Sequence, residues 1–176
     1  MAFTDPKKNL SYLKFFSTMK VADLGAGNGA YTLELAKAIG PDGKVYAVEV
    51  QKDLLEVIKK NATTNGLQNV EVIWGDIEKV NGTGLADSFV DAVVISNILF
   101  QMSSIYVLAQ EIKRILKTGG QLLIVEWRDS FGGIGPEAGA VVRPEKAKEV
   151  FSSVGFEFNQ EFEAGDEHYG LVFIKK

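Results

Sequence analysis

Short apolar runs rich in β-branched residues alternate along this chain with segments whose apolar positions recur every three or four residues. The runs at 20–24, 43–50, 69–75, 89–96 and 120–127 are close to continuously apolar, as strands buried on both faces of a sheet should be. Between them, 29–39, 52–65 and 102–117 predict helices. Leu54, Leu55 and Ile58, and later Ile105, Leu108, Ile112 and Leu116, fall on single faces. Strands separated by helices specify a parallel sheet covered on both sides. Near the start, Asp5 reads as an N-cap with Pro6 in the first turn, so a short helix precedes the first strand.

The ending departs from this alternation. RPEKAKEVFSSVGF predicts a helix with Pro144 at its start and Gly155 after its end, and FEFNQEFEAGDEHYGLVFIKK predicts two alternating strands around the turn signal AGD. The last strand must run against the others. The expected fold is therefore α/β: a Rossmann-like, doubly wound, mostly parallel seven-stranded sheet ending in an antiparallel hairpin. Residues 1–176 read as a single domain. Its parts are an N-terminal helix or cap at 1–19, a cofactor-binding core at 20–127, a glycine-rich loop at 128–142, and a helix plus hairpin at 143–176.

Composition narrows the function. A chain of 176 residues with 46% hydrophobic content fills one core well. With no cysteine there is no disulfide or thiolate site, and the lone His168 builds no histidine cluster, so no metal is expected. No apolar run approaches a membrane span, and the opening residues lack the apolar region of a signal peptide; a soluble cytoplasmic protein is expected. A net charge of −4 disfavours nucleic acid as a partner, although Lys7, Lys8, Lys14 and Lys20 make the first segment locally basic.

VADLGAGNGA places Gly25, Gly27 and Gly29 between a strand and a helix, where a missing Cβ permits a tight turn and lets a ligand touch backbone. The helix that follows points unpaired N–H groups into the crevice, which suits an anionic group. Glu49 ends the second strand, where open α/β sheets put a carboxylate on ribose hydroxyls. Gly25, Gly27 and Ala30 also satisfy the G-x-G-x-x-G/A dinucleotide pattern, so the turn alone leaves the cofactor open. Asp23 ends a buried strand, and its carboxylate needs a partner in the glycine loop or on the ligand.

The rest of the chain resembles the class I S-adenosylmethionine-dependent methyltransferases. VADLGAGNG with Asp23 is similar to their first motif, NVEVIWGDIEKV to their third strand and adenine-binding turn, and VDAVVISNILFQM with EIKRILKTGGQLLIVEW to the fourth strand, its helix and the fifth strand. Within the class, SNILFQM through LKTGGQLLIVEW looks most like the ubiquinone/menaquinone C-methyltransferase-like (type 11) group. The resemblance implies S-adenosyl-L-methionine as cofactor and S-adenosyl-L-homocysteine as product. It implies Asp23, Gly25, Ala26, Gly27 and Gly29 at the first turn, Glu49 and Val50 at the ribose, Gly75, Asp76 and Ile77 at the adenine, and Asn97 near the methionine end. A sulfonium methyl is already electrophilic, so the protein has chiefly to align an acceptor and exclude water.

Topology puts Trp127, Arg128 and Asp129, which follow the fifth strand, at the crevice end together with His168 and Tyr169 of the hairpin turn. Trp127, Arg128 and Tyr169 are substrate-side candidates, and His168 and Asp129 are candidate bases for an acceptor that must lose a proton. The glycine-rich loop SFGGIGPEAGAVV, 130–142, reads as a lid or a plain connector. The expected partner is a small-molecule acceptor. An RNA or protein methyltransferase with an open site, and a cofactor-binding protein that acts through a partner, are the other readings. The oligomeric state is not set by the sequence.

Overall fold

In the computed structural model, which describes residues 4–176, the predicted alternation is realised almost element for element. The expectations for residues 1–3 of the N-terminal cap lie outside the described residues. A one-turn helix, α1 (Pro6–Leu10), starts as predicted, the Asp5 side chain accepting from the Lys8 N–H at 3.1 Å. Then follow β1 (Lys20–Leu24), α2 (Ala30–Ile39), β2 (Lys44–Glu49), α3 (Lys52–Thr64), β3 (Val70–Trp74) and β4 (Val90–Ser96). The second half comprises α4 (Ile105–Ile115), β5 (Leu116–Trp127), α5 (Pro144–Ser153), β6 (Phe156–Glu163) and β7 (His168–Lys175).

The seven strands form one sheet in the order β3-β2-β1-β4-β5-β7-β6. β1 to β5 pair in parallel, and β7 runs antiparallel to both β5 and β6. One face is covered by α4 and α5 through Leu108, Ile112, Ile115 and Phe151. The other is covered by α1 and α2 through Leu10, Tyr31 and Leu35, and by α3 through Ile58. A sheet buried on both faces explains why its central strands carry so few polar residues.

Two boundaries differ from the sequence reading. The helix predicted over 102–117 is shorter, α4 covering Ile105–Ile115: Ser104 caps it, accepting from the Val107 N–H at 3.4 Å, and a 3-10 turn at Leu99–Gln101 precedes it. Strand β5 begins at Leu116 instead of 120. Leu116 pairs with Val90, and the next pair is Gln121 with Ala92, so the intervening Lys-Thr-Gly-Gly residues make an irregularity. Among the described residues no helix is long and apolar enough to cross a membrane.

Candidate active site

β1 is the strand at which the sheet order reverses, with β2 leading one way and β4 the other. A crevice opens where the C-terminal ends of these strands diverge. The chain leaves β1 through Gly25, Gly27 and Gly29 at φ +69°, +56° and +85°, conformations that side chains rarely adopt. The N–H groups of Gly25 and Ala26 both donate to the Val48 carbonyl, at 2.8 and 3.1 Å, which ties this turn to β2.

Glu49 completes the tie from the other side. It is 5% exposed. Its Oε2 accepts from the Gly27 N–H at 3.0 Å, and its Oε1 accepts from the Val50 and Gln51 N–H groups, both at 2.9 Å. The free N–H groups expected at the start of α2 are mostly spoken for. Ala30 donates to Asn28 Oδ1 at 3.1 Å, and the Thr32 hydroxyl donates to Asp23 Oδ2 at 2.5 Å. The Thr32 backbone N–H adds to that bond. The partner of Asp23 is thus the first turn of α2, not the glycine loop. Burial pushes the Asp23 carboxyl up to about 6, against the hydrogen bonds from Thr32 and helped by the nearby charge of Glu49.

On the β3 side, Asp76 Oδ1 accepts from the Glu78 N–H at 3.0 Å, and Oδ2 pairs with Lys79 Nζ at 2.8 Å. The Lys79 bond, with that of Glu78, holds this carboxyl below its usual range. Ile77 is buried beside it, and Gly75 has no room for a side chain: a Cβ there would stand 2.7 Å from Val48 Cγ1. On the β4 side, Asn97 takes a left-handed φ of +56°, with its N–H on the Val125 carbonyl at 2.9 Å. Its Oδ1 is buried and accepts no hydrogen bond among the described residues.

These groups line a crevice of about 360 Å³ between the β2, β3 and β4 ends, whose apolar wall includes Leu54, Ile77, Ile98 and Met102. A second lobe of about 270 Å³ lies between the glycine turn, Asp23, Tyr31 and the start of α1. Gly25, Gly27, Ser96 and Asn97 border both. The structure thus gathers Gly25, Gly27, Glu49, Val50, Gly75, Asp76, Ile77 and Asn97 in the first lobe and Asp23 with Ala26 in the second. Gly29 lines neither. Its left-handed φ and a Cβ position 3.2 Å from Ile58 Cγ1 make it a packing residue behind the turn.

The expected substrate-side group borders neither lobe. Trp127 pairs with His168 across β5 and β7, and their rings lie 4.2 Å apart. His168 and Tyr169, which open β7, are fully buried, whereas Asp166 in the turn before them is exposed. Tyr169 donates its hydroxyl to the Val142 carbonyl at 2.7 Å, and so anchors the end of the glycine-rich loop. That loop crosses Trp127 closely enough that a Cβ on Gly135 would stand 2.7 Å from the indole. Arg128 reaches Glu163 and the His168 carbonyl at 3.5 and 3.4 Å. Asp129 is exposed and faces Arg143 at 3.8 Å.

Sequence reading passed over Thr32, Gln101 and Glu126. Glu126 carried a signal, an acid near the end of the apolar run LLIVEW. It is fully buried, and desolvation raises its carboxyl to about 7 against the backbone N–H groups bonded to it.

Residues 15–152 match a protein family described as methyltransferase domain. A probable cobalt-precorrin-6B C(15)-methyltransferase (decarboxylating) of Sulfurisphaera tokodaii is 36% identical over 115 residues, which cover 65% of this chain and 57% of that protein. A demethylmenaquinone methyltransferase of Staphylococcus aureus is 32% identical over 107 residues, 61% of this chain and 42% of that protein. The matches therefore span about half the length of these curated relatives. A crystal structure of a SAM dependent methyltransferase from Aquifex aeolicus superposes with a TM-score of 0.88 at 27% identity, covering 99% of this chain and 91% of that one.

Proposed function

The chain belongs to the methyltransferase domain family, and from that premise we propose that it transfers the methyl of S-adenosylmethionine to a small-molecule acceptor, leaving S-adenosylhomocysteine. The observation that carries this reading is Glu49. Its carboxylate is fixed against Gly27 at the switch point of the sheet, where a ribose diol is recognised.

The surrounding residues fit the rest of such a cofactor. Leu54, Val50 and Ile77 offer an apolar slot for adenine, and Asp76 retains lone pairs for its amino group. The unfilled Oδ1 of Asn97, at the junction of the two lobes, accepts from the ammonium of the amino-acid end, and Asp23 supplies negative charge in the second lobe. Burying the Asn97 oxygen without a partner is costly, so a ligand donor there is strongly favoured.

When bound, S-adenosylmethionine supplies a methyl activated by positive sulfur. The protein's part is alignment and exclusion of water. Asn97, Ile98, Gln101 and Met102 form the wall along which the acceptor approaches. Trp127, packed under Gly135 of the glycine-rich loop, lies beyond the two lobes. An acceptor that must lose a proton is served by Asp129, which is exposed, whereas His168 lies buried against Trp127 and supports that ring from behind. Arg128 sits beside them at the crevice end, and Tyr169 acts through the loop it anchors. The small acceptors named for the curated relatives support the substrate class.

The test is a labelled-methyl transfer screen over quinones, tetrapyrroles, other small molecules, RNA and protein fractions. Label in a small molecule supports the reading. Label confined to RNA or protein overturns the substrate class, and no label in any fraction overturns turnover.

A further inference from the structure

Glu126 carries a carboxylate into the core at the end of β5 and, among the described residues, makes no ion pair there. An unpaired buried carboxylate is expensive, by several kcal/mol on general grounds. What it receives instead is backbone. Oε2 accepts from the Leu99 N–H at 2.7 Å and Oε1 from the Trp127 N–H at 2.8 Å, with the Ile98 and Phe100 N–H groups adding to the set. Three of these four donors belong to consecutive residues of the turn after β4.

That turn needs an anchor. It begins at Asn97, whose backbone is left-handed at φ +56°, a conformation uncommon outside glycine. It continues into a 3-10 turn at Leu99–Gln101 whose N-terminal residue offers no side-chain cap. Asn97, Ile98, Gln101 and Met102 nevertheless form one wall of the crevice. No side chain of the turn itself secures Leu99; the fixed acceptor is on the neighbouring strand.

We propose that Glu126 is a positioning residue whose carboxylate, by gathering the turn's N–H groups, sets the β4 wall in the shape that receives the cofactor's amino-acid end and the acceptor. The same carboxylate grips Trp127 N–H, so the wall and the aromatic cover beyond it are placed by one group. His168, against Trp127, and Tyr169, whose phenol is raised by burial and by the charge of Glu126, are the other titratable groups at this corner. Tyr169 donates to the Val142 carbonyl. The inference rests on the proposed cofactor reading for its consequence, though not for its geometry.

The test combines amide exchange with binding of S-adenosylhomocysteine, in wild-type protein and in Glu126→Gln and Glu126→Asp. Gln keeps the shape but offers one acceptor oxygen, while Asp keeps the charge on a shorter stem. In Glu126→Gln the Leu99 amide should exchange at least tenfold faster while the Val21 and Val45 amides are unchanged, and affinity should fall about tenfold. Glu126→Asp should recover part of that affinity. Unchanged Leu99 exchange, or faster exchange with undiminished affinity, overturns the proposal. If the variants do not fold, the scalar coupling across the hydrogen bond between the Leu99 nitrogen and the Glu126 carboxyl carbon in labelled wild-type protein decides: its presence supports the anchor and its absence removes it. Wild-type protein that binds no sulfur nucleoside would defeat the cofactor reading and leave the exchange and coupling results to judge Glu126.

Discussion

The Oε2 of Glu49 stands 3.0 Å from the backbone nitrogen of Gly27, so the acid that ends β2 and the turn that ends β1 form one unit before any ligand enters. The remaining oxygen is held by Val50 and Gln51. A carboxylate fixed in this way has little rotamer freedom left to lose on binding, which favours affinity.

Replacing Glu49 by alanine should therefore remove both a ribose acceptor and the tie to Gly27. S-adenosylhomocysteine affinity is expected to fall by about 1–3 kcal/mol, read by calorimetry. Affinity equal to wild type would take Glu49 out of the site.

Two buried carboxyls give the protein an uncommon pH dependence. Asp23 is raised from 3.8 to about 6 and Glu126 from 4.5 to about 7, both first by desolvation. Between the unfolded and folded values the folded chain holds more protons than the unfolded one. Each group's stabilising contribution is thus greatest at acid pH and is lost as pH rises through its folded value. Each contribution is on the order of 3 kcal/mol. Glu111 opposes this at the acid end. Burial raises its carboxyl, but Arg114 and Thr83 outweigh that and hold it at about 2, so its contribution is lost as pH falls below the unfolded value of 4.5. Asp76, also lowered, acts the same way. Thermal melting from pH 3 to 9 should show greatest stability near pH 4, on the scale of these values. A Tm that climbs steadily to pH 8 would contradict both raised carboxyls.

Gly135→Ala tests the cover over Trp127. Its φ of +77° strains any side chain, and the added Cβ would meet the indole. In a Trp74→Phe background, which leaves Trp127 as the one tryptophan, emission should shift to the red as the loop lifts. Cofactor affinity should hold and acceptor turnover should change. An unmoved spectrum and rate would make the loop a connector.

Asp129 and His168 should separate cleanly. For an acceptor that must be deprotonated, Asp129→Asn is expected to lower the transfer rate about 10²-fold with cofactor affinity kept. His168→Asn, in a buried position, is expected to lower stability by about 1–3 kcal/mol and leave cofactor affinity unchanged. The reverse pattern would make the imidazole the base.

Most of the crevice between β2, β3 and β4 was legible in the sequence, because its residues sit at strand ends whose positions follow from periodicity. Gly25, Gly27, Glu49 and Asp76 each close a strand or the turn after it, and the crevice must form there. Gly29 and Asp23 have neighbours the sequence reading did not name: Ile58 and Thr32 come from helical elements, and packing across elements leaves no local mark. The acceptor half was less legible. That the hairpin turn lies at the crevice end follows from topology. Whether His168 and Tyr169 beside it are exposed or buried depends on how residues 130–142 pack on Trp127 and Tyr169, and their irregular pattern does not encode this. Glu126 shows the opposite case. It has the same acid-in-an-apolar-run signature as Glu49, yet its role depends on the turn after β4, to which the sequence reading assigned no structure.

The central claim is that this crevice is built for a sulfonium nucleoside, and competitive calorimetry tests it most directly. S-adenosylhomocysteine and NAD are titrated separately into wild-type protein, and then one in the presence of the other. The account predicts saturable binding of one S-adenosylhomocysteine per chain, with no heat from NAD at the same concentration. Binding of NAD with none of S-adenosylhomocysteine would contradict it, and would return the glycine turn to the dinucleotide pattern that Gly25, Gly27 and Ala30 also satisfy.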